Sequence, residues 1–203
     1  KALRMALQMR EQHIKRERAT SNICTASALM ASMVGFYCVY NGPEGLRRAA
    51  ETAHLAAATV ARALEAMDYR LASKEFFDTL EVEAEAAVVQ SLALEQGINF
   101  YYPSEGRVRM SFDEVTTAAE IETVVSIFAA AKGKKAKAVK AVTESCVPTA
   151  LRRQSPYLQE PVFNAYRSES ALMRYIKKLE LRDISLANSM ISLGSVSYTH
   201  LRA

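Results

Sequence analysis

The chain has 203 residues and a mass of 22.4 kDa, which suits one ordinary domain or two small ones. Half of the residues are hydrophobic and 24% are charged, a balance that excludes an intrinsically disordered chain, a collagen-like repeat and a small disulfide-rich scaffold. The net charge of +4 is mild for a nucleic-acid-binding protein, and no apolar stretch is long enough to span a membrane. We therefore expect neither nucleic acid nor membrane as a partner. Three cysteines without metal-ligand spacing indicate a reduced, cytoplasmic compartment.

The first strong signal is a helix start. Thr20, Ser21 and Asn22 are all residue types that cap helix N-termini, and an apolar run from Ile23 to Tyr40 follows them. This run predicts a helix that is buried on most of its surface. Hydroxyl and free backbone N–H groups at such a start can also bind an anion, although composition alone favours an ordinary cap. Asn41-Gly42-Pro43 predicts the end of this helix.

A second helix is predicted over residues 44–67, because apolar residues recur along it at spacings of three and four. These residues are Leu46, Ala50, Ala53, Ala57, Val60, Leu64 and Met67. His54 lies one position from this stripe and has no second ligand nearby in sequence. We therefore expect a partly buried or surface histidine and assign no metal site.

The pattern then changes to short strands. Alternation from Phe76 to Val82 predicts a strand, a helix follows at 83–96, and the runs 98–102 and 107–112 predict a hairpin. A capping box at Thr117 and Glu120 begins a helix that ends near residue 131. The region is therefore predicted as β-α-β-β-α, with an antiparallel or mixed sheet covered by helices on one face.

Acidic residues near the predicted strand ends are the second candidate for chemistry. Asp113 and Glu114, together with Asp78 and Glu81, could serve acid–base catalysis or bind a metal. Acids at strand ends more often cap a turn or a helix, so we assign no catalytic residue.

The C-terminal third is predicted as connecting structure. Residues 132–147 form a tract rich in Lys and Ala without an evident anchor, which predicts a mobile connector. Residues 148–167 have three prolines between aromatic residues, as in an extended arm that lies against a surface. A short amphipathic helix is predicted over 169–182, with four residues directed inward: Leu172, Tyr175, Ile176 and Leu179.

A family resemblance rests on one long segment and several shorter ones. The long segment is Arg10-Glu11-Gln12-His13-Ile14-Lys15-Arg16-Glu17-Arg18-Ala19-Thr20-Ser21-Asn22-Ile23-Cys24-Thr25, which closely resembles a signature of the glycine cleavage system P-protein family. Shorter matches follow in the family's order: Gly42-Pro43-Glu44-Gly45-Leu46, Phe76-Phe77-Asp78-Thr79-Leu80, Gly97-Ile98-Asn99, Leu151-Arg152-Arg153-Gln154-Ser155-Pro156-Tyr157-Leu158, Pro161-Val162-Phe163-Asn164, Arg174-Tyr175-Ile176-Lys177-Lys178-Leu179-Glu180 and Ser189-Met190-Ile191-Ser192-Leu193-Gly194-Ser195.

The chain departs from the family pattern at three places. The family usually has His where this chain has Arg167 and Asn188. After Gly194-Ser195 the family continues Cys-Thr-Met-Lys-Leu-Asn, whereas residues 196–203 look like a translated sequencing adapter. We therefore expect a non-native tail at 196–203 and an internal fragment of a longer protein.

The resemblance implies an α/β fold class, in detail an α+β fragment of a fold type I pyridoxal-phosphate-dependent transferase. Family members have two related halves, and only the second carries the lysine that binds the cofactor. The expected organisation is an interface segment with two long helices (1–68), the small domain (69–131), and a linker with the first arm of the second half (132–195). No lysine here lies in a comparable motif, so we expect the chain alone to be inactive.

The resemblance also implies the activity of the whole enzyme, an oxidoreductase that decarboxylates glycine on pyridoxal phosphate and passes the aminomethyl group to lipoyl H-protein. The implied partners are glycine, H-protein and the second half or a partner subunit. The implied compartment is the bacterial cytoplasm, or the mitochondrion in a eukaryote.

The cofactor-binding candidates also come from a resemblance. In cysteine-desulfurase-like enzymes of the same fold type, a threonine ahead of a long helix contacts the cofactor phosphate across the dimer interface. Thr20, with Ser21 and Asn22, resembles that segment and is the candidate for cofactor binding. A cap that contacts only its own helix is the alternative at these residues. For the chain as a whole, the alternatives are a fragment of another fold type I pyridoxal-phosphate enzyme and a non-catalytic helical interaction module.

Overall fold

The structure is a computed structural model that describes residues 25–136, 138–182, 184–185, 187–188 and 190. These residues form two compact units. Unit 1 contains the residues up to Gly42 together with those from Leu158 onward, and unit 2 is Pro43–Tyr157. The domain boundaries proposed above at residues 68, 131 and 195 stay predictions.

The longest element is helix α1 (Thr25–Glu65), which is kinked at Gly42. Gly42 has φ 61° and ψ −177°, a conformation that is not helical and that glycine adopts without a side-chain penalty. Pro43 follows and has no N–H to donate to a preceding carbonyl. The predicted interruption at Asn41-Gly42-Pro43 is confirmed, and it coincides with the boundary between the two units.

Unit 2 contains an antiparallel sheet of four strands and two further helices. The strands are β1 (Arg70–Leu71), β2 (Thr79–Glu83), β3 (Tyr101–Ser104) and β4 (Arg107–Ser111), and their order across the sheet is β1-β2-β4-β3. The helices are α2 (Ala86–Glu95) and α3 (Ala118–Ala131). The predicted mixture of helices and a small antiparallel sheet is confirmed, with β1 as an addition.

One hydrophobic core joins the second part of α1, the sheet and both helices. Alternation places Leu80 and Val82 of β2 beside Val108 and Met110 of β4 on the buried face, while the polar residues between them occupy the other face. Of the predicted α1 stripe, five residues are buried: Ala53, Ala57, Val60, Leu64 and Met67. Ala50 is exposed and Leu46 is half-buried, so the stripe enters the core later than predicted.

The ends of the helices in unit 2 follow local chemistry. Thr117 Oγ1 accepts a hydrogen bond from the Glu120 backbone N–H at 3.3 Å, and Glu120 Oε2 accepts one from the Thr117 N–H at 2.7 Å. This is the predicted capping box, now with both hydrogen bonds in place. After α2, Gly97 has φ 71°, which confirms the predicted helix end.

The Lys- and Ala-rich tract has no helix or strand among its described residues, yet it is anchored. Val142 is buried, and its backbone N–H donates to Thr59 Oγ1 on α1 at 3.0 Å. The N–H of Cys146 donates to His54 Nε2 at 3.1 Å. The prediction of a tract without an anchor was wrong, because scattered valines within the repeat reach the core.

The residues after the tract form short helices rather than a continuous extended arm. A 3₁₀ turn (Thr149–Leu151) lies in unit 2, and α4 (Val162–Ala165) and α5 (Glu169–Glu180) lie in unit 1. Ser168 caps α5 through its Oγ, which accepts from the Ala171 N–H at 3.3 Å. The predicted amphipathic helix is confirmed, and its four inward residues are all half-buried.

Candidate functional site

The predicted cofactor-binding residues, Thr20, Ser21 and Asn22, lie outside the described residues, as does the long signature segment up to Cys24. The described part of α1 begins at Thr25. Their role therefore stays a prediction, and the described residues show instead which faces of the two units are closed and which are open.

Unit 1 presents an apolar helix face to solvent. Leu29, Met30, Met33, Val34 and Tyr37 are between 46% and 61% exposed, and we call them the outer apolar face. At 100° per residue they cover one continuous stripe of α1. The prediction of a helix buried on most of its surface was wrong for this chain, because an apolar pattern cannot show whether its covering surface lies in the same chain.

The opposite side of the same helix segment lines a cavity of about 350 Å³ within unit 1. Its lining is apolar apart from Ser32, and the other residues are Gly35, Phe36, Val39, Val162, Phe163, Tyr175 and Leu179. Of these, Val39 is 6% exposed. Nearby, the rings of Tyr166 and Tyr175 stack at 4.2 Å. The first part of α1 is therefore apolar on two sides. Residues of α4 and α5 line the cavity side, and the outer apolar face is on the other side.

At the kink, the backbone of Gly42 lies close to Phe163 and Arg167 in unit 1. A side chain at Gly42 would place its Cβ 2.7 Å from the Phe163 carbonyl oxygen and against the Arg167 guanidinium. Arg167 donates to Asn164 Oδ1 at 2.6 Å and to the Phe163 oxygen at 3.4 Å. Arg167 stands at a position where the chain departs from the family pattern, so this contact is one of the local consequences of that departure.

Of the four acidic residues considered for catalysis, Asp113, Glu81 and Asp78 accept hydrogen bonds from other residues of unit 2; for Asp78 the donor is Thr79 Oγ1 at 2.9 Å. Asp113 Oδ1 accepts from the Val115 N–H at 3.2 Å and from Thr116 Oγ1 at 2.8 Å, which closes the turn before α3. Glu81 accepts from Arg109 and from Arg107, the latter at 2.6 Å. These hydrogen bonds, that from Arg109 first, lower the pKa of Glu81. The interpretation as turn capping is confirmed for Asp113, and Glu81 instead joins the polar face of the sheet.

A groove of about 500 Å³ lies in unit 2 beside β3, β4 and the start of α3. Its charged lining residues are Arg109, Asp113 and Glu120. Arg109 pairs with Glu81, while Asp113 and Glu120 accept hydrogen bonds within their own turns. The charged groups of the groove are thus already engaged within the protein, and we assign no ligand to it.

His54 is more deeply buried than the sequence predicted. It is only 2% exposed, whereas a partly buried or surface position was predicted. Its Nδ1 lies 2.8 Å from the Phe77 carbonyl oxygen, and its ring stacks on that of Phe77 at 5.5 Å. Its Nε2 accepts the Cys146 N–H at 3.1 Å and lies 3.4 Å from Cys146 Sγ. Because Nδ1 faces a carbonyl and Nε2 faces an N–H, the hydrogen bonds assign the neutral tautomer protonated at Nδ1.

Two kinds of feature are absent from the residues that the structure describes. In this part of the chain, no group of three or more His, Cys, Asp or Glu residues is placed to hold a metal ion. Among the same residues, no helix is both long and apolar enough to cross a membrane.

Comparison with known proteins identifies the family. Residues 1–128 match the family model described as glycine cleavage system P-protein. The chain belongs to this family. Curated relatives carry the name glycine dehydrogenase (decarboxylating). The relative from Flavobacterium johnsoniae is 50% identical over 196 residues, or 96% of this chain. The relative from Thermosynechococcus vestitus is 46% identical over 198 residues, or 96% of this chain. The chain spans 21% and 20% of the length of these two relatives.

A solved relative is also similar. The crystal structure of glycine decarboxylase (P-protein) of the glycine cleavage system, in inhibitor-bound form, aligns over 59% of this chain and 30% of its own chain, with 26% identity and a TM-score of 0.48. A similarity at this level does not define the fold, so the fold type I assignment of the whole enzyme stays an expectation from the sequence resemblance.

Proposed function

We propose that the chain is part of a glycine dehydrogenase (decarboxylating) that acts in the bacterial cytoplasm, removes carbon dioxide from glycine and passes the aminomethyl group to lipoyl H-protein. The observation that carries this proposal is the 50% identity, over 96% of the chain, to a relative of that name. When bound, pyridoxal phosphate would supply the electron sink for the decarboxylation. We further propose that its lysine lies outside this chain, because no lysine here stands in a motif like that of the family.

The cofactor would meet this chain at Thr20, Ser21 and Asn22. Hydroxyl groups and backbone N–H groups ahead of a helix suit a dianionic phosphate, since the positive end of the helix dipole faces the anion. This role rests on the residue types and on their place five to three residues ahead of Thr25, where the described part of α1 begins.

The outer apolar face supports a second role for the chain, that of an interface within the enzyme. Five adjacent apolar side chains, each at least 46% exposed, are costly on a free surface and are typical of a contact region. The relatives are about five times longer than the segment they share with this chain, since that segment is 21% of the Flavobacterium relative. We propose that other parts of the same enzyme cover this face.

The proposed function is tested in a chimera. The corresponding segment of the full-length Flavobacterium relative would be replaced by residues 3–195 of this chain. We expect the chimera to bind pyridoxal phosphate and to release carbon dioxide from glycine in the presence of lipoyl H-protein. A chimera that folds and binds the cofactor but does not decarboxylate glycine would contradict the proposal and favour the alternative of a non-catalytic interaction module.

The cofactor contact is tested in the same chimera by Thr20→Ala. Loss of one charge-assisted hydrogen bond should weaken cofactor binding by about 1–2 kcal/mol. Thr20→Ser is the matched control because it keeps the hydroxyl, and it should bind almost as tightly as the parent. A Thr20→Ala chimera with unchanged cofactor affinity and a lower melting temperature would show that Thr20 is only a helix cap.

A further inference from the structure

Unit 2 holds an exposed thiol against a buried base. Cys146 is exposed at the end of the Lys- and Ala-rich tract, whereas His54 is only 2% exposed. The distance from Cys146 Sγ to His54 Nε2 is 3.4 Å. The two residues are 92 positions apart, so the fold, and not the local sequence, brings them together. The proposed glycine chemistry uses neither of them.

A third group orients the histidine. The Nδ1–H of His54 donates to the Phe77 carbonyl oxygen at 2.8 Å, and the ring stacks on Phe77 with an angle of 13° between the planes. These contacts direct Nε2 toward Cys146. A thiol within reach of a base that is itself oriented by a third group is the arrangement that activates cysteine nucleophiles.

Small molecules have access to the thiol. Cys146 lines a cavity of about 240 Å³, whose charged residues are Arg62, Lys74, Glu65 and Glu144. The cavity therefore offers both signs of charge, and it is large enough for one arm of a small disulfide but not for a folded protein.

We propose that Cys146 is a site of thiol–disulfide exchange with small disulfides, that His54 is its base, and that the exchange releases the tract from α1. A bond forms between Cys146 Sγ and one sulfur of the reagent, whose own S–S bond breaks, and the other sulfur leaves as a thiolate. The thiol proton moves to His54 Nε2 and then through solvent to the leaving thiolate. The thiol of Cys146 is oxidised, half of the reagent is reduced, and His54 ends neutral.

Release follows from the geometry of the histidine. Nε2 has one lone pair, and the Cys146 backbone N–H occupies it in the resting state. To take the thiol proton, Nε2 must give up that hydrogen bond. The substituent on Sγ then takes up space in the cavity of about 240 Å³, which Val142 and Glu144 of the tract also line. It therefore competes with the tract for the position from which the Cys146 N–H reaches Nε2. Among the described residues, the polar anchor of the tract that would remain on α1 is the hydrogen bond from the Val142 N–H to Thr59 Oγ1.

The test isolates one thiol in the full chain. In Cys24→Ser/Cys38→Ser, Cys146 is the remaining cysteine, and its reaction with 5,5′-dithiobis(2-nitrobenzoate) is followed by the absorbance of the released thiolate. The rate is measured at pH 7 for the folded chain and in urea, each relative to free N-acetylcysteine in the same solution. We expect the folded chain to react at least about tenfold faster than the unfolded chain, since general-base assistance contributes factors of this size or more. An equal or slower folded rate would overturn the proposal.

His54→Gln separates the base from the anchor. Glutamine can accept the Cys146 N–H but cannot take the thiol proton, so the rate should fall to that of the unfolded chain. A retained fast rate would exclude His54 as the base. If His54→Gln does not fold, as judged by circular dichroism, the comparison of folded and unfolded rates in the parent still decides whether the folded structure activates Cys146.

Release of the tract has its own measurement. Hydrogen exchange of residues 138–146 is compared before and after modification, and we expect faster exchange at the Cys146 amide once the mixed disulfide has formed. Unchanged exchange would overturn the release, and Cys146→Ser treated with the same reagent controls for effects at other sites.

Discussion

Gly42→Ala is the substitution for which the structure predicts the largest local cost in unit 1. With φ 61° and ψ −177°, Gly42 occupies a region of backbone conformation that is almost restricted to glycine, and a side chain there costs about 1–3 kcal/mol. The new Cβ would also lie 2.7 Å from the Phe163 carbonyl oxygen, a backbone atom that cannot move aside by rotating a side chain. The Arg167 guanidinium can move, but it then loses its 2.6 Å hydrogen bond to Asn164, worth about 1 kcal/mol.

We therefore expect Gly42→Ala to lower the free energy of unfolding of unit 1 by about 2–4 kcal/mol. Hydrogen exchange followed by mass spectrometry resolves the units, so exchange in α5 should accelerate while exchange in the sheet of unit 2 stays unchanged. Gly35→Ala is the matched control, because a Cβ added at Gly35 would meet no atom of another segment within 4 Å and alanine favours a helix by about 0.5–1 kcal/mol. Equal exchange in the two variants would refute the argument.

Arg167→His tests how the cost of Gly42→Ala is divided. The histidine removes the guanidinium from the position of the new Cβ but leaves the Phe163 carbonyl oxygen in place. The cost of Gly42→Ala should then fall by no more than about 1 kcal/mol. A fall to zero would mean that the backbone contact contributes nothing.

Four further outcomes follow from contacts in unit 2 and from the family assignment. His54→Phe keeps a ring but leaves the Phe77 carbonyl and the Cys146 N–H without their partner, so urea unfolding should show a loss of about 2–4 kcal/mol. Burial raises the pKa of Tyr69, whose hydroxyl donates to the Phe128 carbonyl. The contribution of Tyr69 to the free energy of unfolding is therefore complete below pH of about 10 and is lost as pH rises through the folded pKa. Tyr69→Phe should remove this loss of stability at alkaline pH, as measured by the midpoint of urea unfolding. Hydrogen bonds from Arg109 and Arg107 lower the pKa of Glu81. Its contribution to the free energy of unfolding is therefore present above pH of about 4.3 and is lost as pH falls through the folded pKa. Glu81→Gln should make the stability of the protein less dependent on pH in this acidic range. The chain alone, treated with pyridoxal phosphate and borohydride, should show no stoichiometric label on one lysine by peptide mapping.

Features that depend on neighbouring residues could be predicted from the sequence. The capping box at Thr117 and Glu120 and the interruption at Gly42 need only residues within one turn, so their chemistry is visible in the order of the amino acids. The strands β2 and β4 were predicted because alternation survives in a sheet with one polar face. Strand β1 was missed, since two residues cannot carry a periodic signal.

Features that depend on distant residues could not be predicted in this way. The anchor of the tract pairs Val142 with Thr59, 83 positions away, and a count of lysines and alanines does not show which valine will reach the core. The burial of His54 depends on Phe77 and Cys146 closing over it from two other segments. The cofactor-binding candidates Thr20, Ser21 and Asn22 were obtained from a family resemblance, and they lie outside the described residues.

The outer apolar face leads to a prediction that separates this chain from the whole enzyme. Met33 of that face is 55% exposed, and Met173 of α5 is 61% exposed as a single apolar residue. In the chain alone, Met33→Gln and Met173→Gln should each change the free energy of unfolding by less than about 0.5 kcal/mol, because neither side chain is buried. In the chimera with the full-length relative, Met33→Gln should cost about 1–3 kcal/mol, since a polar amide would then enter a covered interface without a partner. Met173→Gln should stay near zero, because single exposed apolar residues are normal on a free surface. Equal effects of the two substitutions in the chimera would show that the outer apolar face stays exposed to solvent in the assembled enzyme, and the proposed interface would then be wrong.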